Sequence, residues 1–394
     1  MIHDLINQNK IELHLQPIIS IKDKKIFAFE ALTRAYDDNN ELISPLYLFE
    51  QASKENLSEI LDCYVRKLAL AKFKEYYDKD KSLLLFLNFE SSVVDSETTD
   101  SFTNNVSLYN INPSNIIIEI KEDSVKDNTS LVKFVKKYRD LGFIIAIDDF
   151  GTGYSSFDRL ALIKPDIVKV DRSIIFDVNK NFINSEILTA ISNMCHKIGA
   201  MVLAEGVESK DEILTILKKD IDIFQGFYFS KAKKNITIEL QNEILYTIDN
   251  IGDIYKSNIH KHIEKKQKLL ENAQDITTKV LKILDCNNTD CINKVEDIVK
   301  DTHKLEAIYM LDIKKGIQKG DTIIQSEDKK LYNPTKDGHD HSLKEYFIIA
   351  KESRRGDYLS SKYISKASGN MCRTYSSKVE INDEKFIVCF DIVI

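Results

Sequence analysis

Short apolar runs alternate with longer amphipathic segments over the first 230 residues. The runs are 83–87, 116–118, 143–147, 167–170, 201–204 and 221–224. Between them, segments such as 130–141 and 184–198 carry apolar residues three and four positions apart, which predicts helices. Strands that are apolar on both faces and alternate with helices predict a parallel sheet covered by helices. The number of repeats favours a β/α barrel over an open doubly wound sheet.

Nearly every apolar run ends in a polar or charged residue. These residues are Asn88, Glu119, Asp148, Asp149, Lys169, Asp171, Glu205 and Gln225. The carboxyl ends of the strands of a β/α barrel converge on one rim, where active sites lie. Carboxylates gathered there would repel one another unless divalent cations neutralised them. Because the donors are oxygens, without cysteine or a suitably spaced histidine, they favour Mg²⁺ or Mn²⁺ over zinc or copper.

The adjacent pair Asp148-Asp149 suggests a two-ion site. One carboxylate can bridge two ions while its neighbour binds the second ion only. Two such ions clamp the attacking and leaving oxygens of a phosphate ester and acidify a water molecule. Lys169 would orient that water or offset charge that develops on the phosphate. The residues therefore predict a metal-dependent phosphodiesterase.

Ordered motifs over some 210 residues resemble the EAL domain, a family of bacterial cyclic di-GMP phosphodiesterases with a TIM-barrel fold. The motifs are Leu15-Gln16-Pro17-Ile18, Glu30-Ala31-Leu32-Thr33-Arg34, Asn88, Glu119-Ile120-Lys121-Glu122, Asp148-Asp149-Phe150-Gly151-Thr152-Gly153, Lys169-Val170-Asp171, Ala204-Glu205-Gly206-Val207-Glu208 and Gln225-Gly226-Phe227. The resemblance implies hydrolysis of cyclic di-GMP to linear pGpG in second-messenger signalling. It also implies two Mg²⁺ or Mn²⁺ ions and a homodimer.

Roles carry over from the family by position. The implied metal ligands are Glu30, Asn88, Glu119, Asp148 and Asp149, and the implied catalytic residues are Glu205, Lys169, Asp149 and Glu122. The implied substrate contacts are Gln16, Leu32, Arg34, Asp171 and Gln225. Glu205 matches a glutamate that either activates water or completes the metal shell, and both roles remain open. One departure is Lys121, where the family commonly has threonine, in a loop beside the metal site and the dimer contact.

Two other functions are weighed against an active enzyme. Some EAL domains have lost metal ligands and serve as cyclic di-GMP receptors or interaction modules. Here every ligand and Lys169 are retained, which favours the enzyme. Alternatively, the barrel is active only when the C-terminal domain is occupied by a ligand; ligand-dependent stimulation of turnover would distinguish that case.

The sequence changes character after the barrel, which is expected to span residues 1–246. Residues 247–286 lack proline and predict a long connecting helix. Its apolar residues, Ile263, Leu270, Ala273, Val280 and Leu284, fall close to a heptad stripe, which fits self-association or an amphipathic helix packed on its own chain. Residues 287–394 predict a small α+β domain with an antiparallel sheet. This domain resembles PAS/Cache-like sensor or dimerisation domains, which implies an unidentified small ligand.

Isolated features of the rest of the chain have plainer interpretations. His339-Asp340-His341 could clip a metal, but a short polar run is more typical of a solvated loop. The six cysteines form no CxxC pair, which indicates reduced thiols rather than zinc sites or a disulfide framework.

Length and charge narrow the function further. A chain of 394 residues predicts two domains, and a net charge of −7 argues against binding a nucleic-acid polymer. The apolar runs are too short to span a membrane, and residues 1–4 do not begin like a secretory signal. We therefore expect a cytoplasmic protein without membrane insertion.

Overall fold

The computed structural model describes residues 1–89, 101–121, 127–153, 156–284, 290–302, 305–325, 333–365, 370–381 and 383–393. The described chain divides into two units, residues 1–258 and 259–394. Each unit has its own apolar core. Within the described ranges, no helix has both the length and the apolar character that crossing a bilayer requires.

Nine strands form the sheet of the first unit. They are β1 (Ile11–Ser20), β2 (Lys25–Tyr36), β3 (Leu42–Ile43), β4 (Leu84–Asn88), β5 (Ile116–Lys121), β6 (Ile144–Phe150), β7 (Ile167–Val170), β8 (Met201–Ala204) and β9 (Ile223–Phe224). Their order is β1-β9-β8-β7-β6-β5-β4-β2-β3, and β1 also pairs with β2. This additional pairing closes eight strands into a barrel, with β3 extending the sheet beyond β2. The closed barrel predicted from the sequence is confirmed.

Helices accompany the strands along the chain. They are α1 (Ile2–Asn7), α2 (Pro45–Lys54), α3 (Ser58–Tyr77), α4 (Ser101–Leu108), α5 (Asn128–Asp140), α6 (Ser156–Ile163), α7 (Arg172–Ile175), α8 (Phe182–Ile198) and α9 (Lys210–Leu217). The amphipathic segments predict α5 and α8 to within two residues at each end. Aromatic and aliphatic side chains of α3 to α9 pack against the strands in one large core, and those of α1 and α2 belong to a smaller cluster.

The expectation that all the barrel strands are parallel is wrong for β1. This strand pairs antiparallel with β2 on one side and with β9 on the other. Only residues 21–24 separate β1 from β2. A connection this short permits a hairpin, whereas parallel strands need a crossover of a dozen or more residues. The barrel therefore opens with a hairpin in place of a strand–helix unit.

The side chains inside the barrel form an apolar layer beneath a polar layer. The apolar layer consists of Ile18, Ala28, Phe86, Ile117, Ala146, Ile167, Leu203 and Ile223. The polar layer consists of Gln16, Glu30, Asn88, Glu119, Asp148, Lys169, Glu205 and Gln225. Each polar residue lies two positions beyond an apolar one along its strand, and side chains two positions apart share a face. On β1 the offset is reversed, from Ile18 back to Gln16, because that strand is antiparallel.

Gly226 follows β9 at a point where the backbone passes close to Val207. A Cβ added to Gly226 would lie 2.0 Å from the carbonyl oxygen of Val207 and 2.4 Å from its nitrogen. We expect Gly226→Ala to destabilise the chain by about 3 kcal/mol, because backbone atoms cannot move aside as a flexible side chain can. Thermal unfolding should show a Tm lower by about 6–12 °C. Gly252→Ala is the matched control, since its added Cβ meets nothing within 4 Å, and an unchanged Tm in Gly226→Ala would contradict this prediction.

The second unit is built around an antiparallel sheet. Its helices are α10 (Ile238–Leu284), which begins in the first unit, α11 (Asp290–Asp301) and α12 (Glu345–Glu352). Its strands are β10 (Leu305–Asp312), β11 (Gln318–Ile324), β12 (Asp357–Leu359), β13 (Tyr363–Ile364), β14 (Met371–Ile381) and β15 (Glu384–Val393). The order is β11-β10-β15-β14-β12, and β13 also pairs with β14. Every pairing is antiparallel, as predicted for this part of the chain.

The connecting helix packs on its own chain through part of the predicted stripe. Ala273 and Val280 are buried in the core of the second unit, whereas Ile263 is 46% exposed. The helix also begins at Ile238, earlier than position 247. Cys195, Cys372 and Cys389 are buried and Cys63 is half-buried, and none of these four forms a disulfide. The side chains of Cys286 and Cys291 lie outside the described residues.

Candidate active site

Lys169 lies at the centre of the polar layer, at the end of β7. Its Nζ is 2.8 Å from Asp148 Oδ1, 2.7 Å from Glu205 Oε1 and 3.7 Å from Glu30 Oε1, and it also pairs with Glu119. The Lys169 side chain is 1% exposed. Burial alone would lower the pKa of this ammonium, but the surrounding carboxylates raise it well above its usual value. Lys169 is therefore a permanent positive charge at the centre of the site.

A β-bulge brings Asp148 and Asp149 to the same side of β6. Adjacent residues of a regular strand point to opposite faces. Here the pairing of β6 with β7 shifts register between Ile147 and Phe150, and Asp149 has a φ of 56°. One carboxylate oxygen from each of Asp148, Asp149 and Glu205 lies within 4.8 Å of the others. Backbone strain of this kind is characteristic of functional sites.

The carboxylate of Glu119 is fully buried and incompletely satisfied. It pairs with Lys169, yet neither oxygen has a hydrogen-bond donor of good geometry among the described residues. Burial raises its pKa well above the usual value, the charge of Lys169 lowers it, and Glu30 and Asp148 raise it further. Buried carboxylates in this condition are stabilised by a cation. This is the condition expected of a metal ligand.

The balance of charge fits divalent cations. The carboxylates that share the site are Glu30, Glu119, Asp148, Asp149 and Glu205, and the ammonium of Lys169 contacts all of them except Asp149. Five negative charges against one positive charge leave a charge of −4, which two divalent ions would cancel. The ligands available are oxygens, which Mg²⁺ and Mn²⁺ prefer. The residues present therefore fit the ions that the sequence predicts.

Hydrogen bonds from amide side chains connect β1 and β2 to the rest of the site. Gln225 Nε2 donates to Glu30 Oε2 at 2.5 Å and to Gln16 Oε1 at 3.1 Å. Asn88 Nδ2 donates to Glu30 Oε1 at 3.1 Å. Gln16 Nε2 donates to the carbonyl oxygen of Ser230 at 3.1 Å. Glu30 is thus held by two amides, which fixes the direction of its carboxylate.

Two adjoining clefts open above the polar layer. Their volumes are about 410 and 550 Å³, and they share Glu30, Leu32, Asp148 and Asp149. Arg34 and Lys121 line the larger cleft. Gln16, Lys169, Asp171, Glu205, Gln225 and Phe227 line the smaller cleft. Glu122, which the sequence assigns to catalysis, lies outside the described residues.

Asp171 has a local structural contact in addition to its position in the cleft. It is the N-cap of α7, and its Oδ1 accepts a hydrogen bond from the backbone N–H of Ser173 at 2.8 Å. Arg34 donates to the carbonyl oxygen of Thr33 at 2.7 Å. These contacts fix the backbone around both residues, and their roles toward a substrate remain predictions.

Arg172 is a functional candidate that the sequence analysis missed. Its guanidinium donates to the carbonyl oxygen of Gly206 at 2.6 Å and pairs with Glu208 Oε1 at 2.5 Å. Both partners lie within three residues of Glu205. Arg172 also lines the smaller cleft. Its position directly after Lys169-Val170-Asp171 could have indicated it. We interpret Arg172 as a positioning residue that holds the segment carrying Glu205.

We expect Arg172→Gln to lower kcat about 10-fold with little change in KM, because small displacements of a catalytic group are costly. Steady-state kinetics on cyclic di-GMP would measure both constants, and Arg172→Lys should recover part of the loss by pairing with Glu208. A rise in KM at constant kcat would instead make Arg172 a substrate contact.

Comparison with known proteins relates the whole chain to one bacterial protein. Residues 1–232 match the EAL domain family. Bacillus subtilis YkuI, described as an uncharacterized EAL-domain containing protein, is 25% identical over 391 residues, which are 94% of this chain and 92% of YkuI. The crystal structure of YkuI in complex with substrate c-di-GMP and calcium has a TM-score of 0.83 at 23% identity, covering 100% of this chain and 99% of that chain. The two chains therefore share their fold along their entire length.

Several other relatives match only part of this chain. NbdA of Pseudomonas aeruginosa, named a cyclic di-GMP phosphodiesterase, is 28% identical over 229 residues, which are 57% of this chain and 29% of NbdA. This chain spans between 29% and 44% of four curated relatives, NbdA included. The four matches cover 56–59% of this chain.

Proposed function

Because this chain belongs to the EAL domain family, we propose that its first unit hydrolyses one phosphodiester bond of cyclic di-GMP, giving linear pGpG, with two Mg²⁺ or Mn²⁺ ions as cofactors. The observation that carries this proposal is the convergence of four carboxylates on the buried ammonium of Lys169, with the carboxylate of Asp149 beside Asp148 and Glu205. The names of relatives such as NbdA and the ligands of the YkuI crystal structure support it.

The resemblance to the EAL family implies how the ligands would divide between the two ions. Glu30, Asn88, Glu119 and Asp148 would hold one ion, and Asp148 with Asp149 would hold the other. Since the Asn88 amide donates to Glu30 through Nδ2, its oxygen remains for coordination. When bound, the ions neutralise the phosphate and lower the pKa of coordinated water.

Glu205 is our candidate for the base that accepts a proton from the attacking water. Burial raises its pKa, Lys169 lowers it, and Asp148 and Glu30 raise it further, to about 8. This value holds without ions, and divalent ions beside Glu205 would lower it and favour the ionised form that accepts a proton. Lys169 keeps the carboxylates of Glu205, Asp148 and Glu119 in place through ion pairs. Its charge also offsets negative charge that develops on the phosphate.

The substrate contacts follow from the walls of the clefts. Arg34 presents a planar guanidinium, which suits a phosphate oxygen pair. Leu32 and Asp171 also line the clefts and would contact a nucleotide at its sides. Gln16 and Gln225 line the smaller cleft together with the carboxylates. Two clefts that meet at the carboxylates suit a cyclic dinucleotide, because each can take one half of it.

Chromatographic separation of the products tests this assignment. Incubation of the purified chain with cyclic di-GMP and Mg²⁺ or Mn²⁺ should yield pGpG, and Glu30→Ala should yield none. Binding of cyclic di-GMP by the parent chain without turnover in either metal would support the second candidate, a receptor. In that case Lys121→Thr should be made first, because the charge of Lys121 acts on Asp149.

We propose that the second unit is a PAS/Cache-like sensor or dimerisation domain. We also propose that the chain forms a homodimer. The antiparallel sheet with helices on its faces supports the first assignment. The exposed Ile259 and Ile263 of α10 support the second, because they offer apolar contacts to another copy. Light scattering coupled to size exclusion would test the dimer, and a monomer at micromolar concentration would contradict it.

A further inference from the structure

The second unit contains a cavity on the sheet face that packs against α12. Its volume is about 290 Å³, near the lower limit of small-molecule sites. The walls include Tyr309 from β10, Tyr363 from β13 and Asp391 from β15, together with His341 and Tyr346. The sequence analysis expected a solvated loop at His339-Asp340-His341. That expectation is wrong for His341, which is 4% exposed and lines this cavity.

Asp391 is a buried carboxylate at the base of the cavity. It is 3% exposed, and its Oδ1 accepts hydrogen bonds from the hydroxyls of Tyr363 at 2.8 Å and Thr374 at 3.0 Å. Its Oδ2 accepts from the Ser365 hydroxyl at 2.9 Å. All three donors are neutral. In the portion of the chain that the structure describes, no lysine, arginine or histidine forms a salt bridge with Asp391, although buried charges are normally paired.

The hydrogen bonds leave Asp391 able to accept one more donor. An ionised carboxylate has about four acceptor positions, two on each oxygen. Tyr363 and Thr374 occupy those of Oδ1, and Ser365 occupies one of those of Oδ2. Burial raises the pKa of Asp391, although the three hydroxyls lower it. A cationic donor at Oδ2 would stabilise the charge that burial disfavours.

His341 does not supply that cation. Its Nε2 lies 3.0 Å from Gln318 Oε1, and its Nδ1 lies 2.7 Å from the Tyr346 hydroxyl. Gln318 uses its Nε2 to donate to the carbonyl oxygens of Gly320 and Thr335, so its Oε1 is the acceptor. His341 therefore donates from Nε2, while Tyr346 can donate to Nδ1. A neutral imidazole satisfies both contacts.

The walls of the cavity are aromatic. The rings of Tyr309 and His341 stack with centroids 5.3 Å apart, and Tyr346 stands edge-on to Tyr309 at 6.1 Å. The negative faces of such rings attract cations. Lys344 and Glu345 are exposed at the rim and carry opposite charges. An anionic ligand would instead meet the carboxylate of Asp391 at the base.

We propose that this cavity binds a small organic amine in its ammonium form. The ammonium N–H donates to Asp391 Oδ2, and the apolar part of the ligand lies against the rings of Tyr309 and Tyr346, which both line the cavity. Tyr363, Ser365 and Thr374 hold the carboxylate in place. The proposal concerns the second unit only and does not depend on the activity of the barrel.

Calorimetric titration of the full chain with matched probes tests the proposal. The probes are phenethylamine and isoamylamine, each compared with the alcohol of the same shape, phenethyl alcohol or isoamyl alcohol. Hydrocinnamate is the anionic probe. We expect at least one amine to bind about 10-fold or more tightly than its alcohol, because only the ammonium pairs with Asp391. Hydrocinnamate should not bind.

Two variants locate the binding. Asp391→Asn should weaken amine binding about 10-fold or more, and Lys385→Ala, at an exposed lysine of β15 that does not line the cavity, should leave it unchanged. The comparison of amine with alcohol needs no variant, so it decides the question even if Asp391→Asn fails to fold. The proposal is overturned if neither amine binds, if the alcohols bind equally well, if hydrocinnamate binds more tightly, or if a folded Asp391→Asn retains full affinity.

Discussion

Lys169→Met should abolish most hydrolysis of cyclic di-GMP, with kcat reduced about 10³-fold, and should also destabilise the metal-free chain. The substitution removes the one ammonium in contact with Glu119, Asp148 and Glu205. Breaking a buried ion pair from one side costs about 3–5 kcal/mol, because the remaining charges lose their partner. Losing a preorganised charge beside a reacting phosphate costs about 10²–10³-fold in rate.

Mg²⁺ should restore much of the stability of Lys169→Met but little of its activity. Divalent ions can neutralise the carboxylates, whereas they cannot replace the ammonium that holds Glu205. Thermal unfolding with a chelator and then with Mg²⁺ would separate the two effects. Lys133→Met, an exposed lysine of α5, is the control. Parental stability and rate in Lys169→Met would contradict this account of the site.

Glu119→Gln should move activity and metal-free stability in opposite directions. The rate should fall about 10²–10³-fold, because the substitution removes a proposed metal ligand. The metal-free chain should become more stable by about 1–2 kcal/mol. Folding raises the pKa of Glu119, first through burial. An acid whose pKa is raised by folding destabilises the fold increasingly as the pH rises above the pKa that the group has in the unfolded chain. Glutamine removes this effect because it carries no charge at any pH.

Denaturant unfolding at pH 5 and pH 8 would test the second part of this prediction. The gain in stability of Glu119→Gln should be larger at pH 8, because the carboxyl of the parent chain is then fully ionised in the unfolded state and burial opposes its ionisation in the folded state. Glu243→Gln, an exposed residue of α10, should show no gain at either pH. A loss of stability in Glu119→Gln would mean that its pairing with Lys169 outweighs the burial of its charge.

The polar layer could be predicted from the sequence because parallel strands end at one rim. Asn88, Glu119, Lys169 and Gln225 each follow an apolar run, and the structure brings all four together. The antiparallel β1 was missed because its ten residues are buried nearly throughout, so their pattern does not indicate strand direction. The four residues between β1 and β2 carried that information.

Features that depend on tertiary contacts were harder to predict. The bulge at Asp149 results from its positive φ, which the presence of an aspartate in the sequence does not predict. Arg172 acts through the backbone of Gly206, which lies 34 positions away. His341 looked polar and solvated, yet Gln318 and Tyr346 bury it and satisfy both ring nitrogens. In each case a contact distant in sequence decides the environment of the residue.

The most direct test of the central claim is the rate of pGpG formation as Mg²⁺ or Mn²⁺ is added back to the metal-stripped chain. We predict no turnover without metal and a saturable rise with added ion, because the carboxylates around Lys169 are the proposed oxygen ligands of the ions. Turnover that is equally fast in the stripped chain, or none at any metal concentration, would contradict the account.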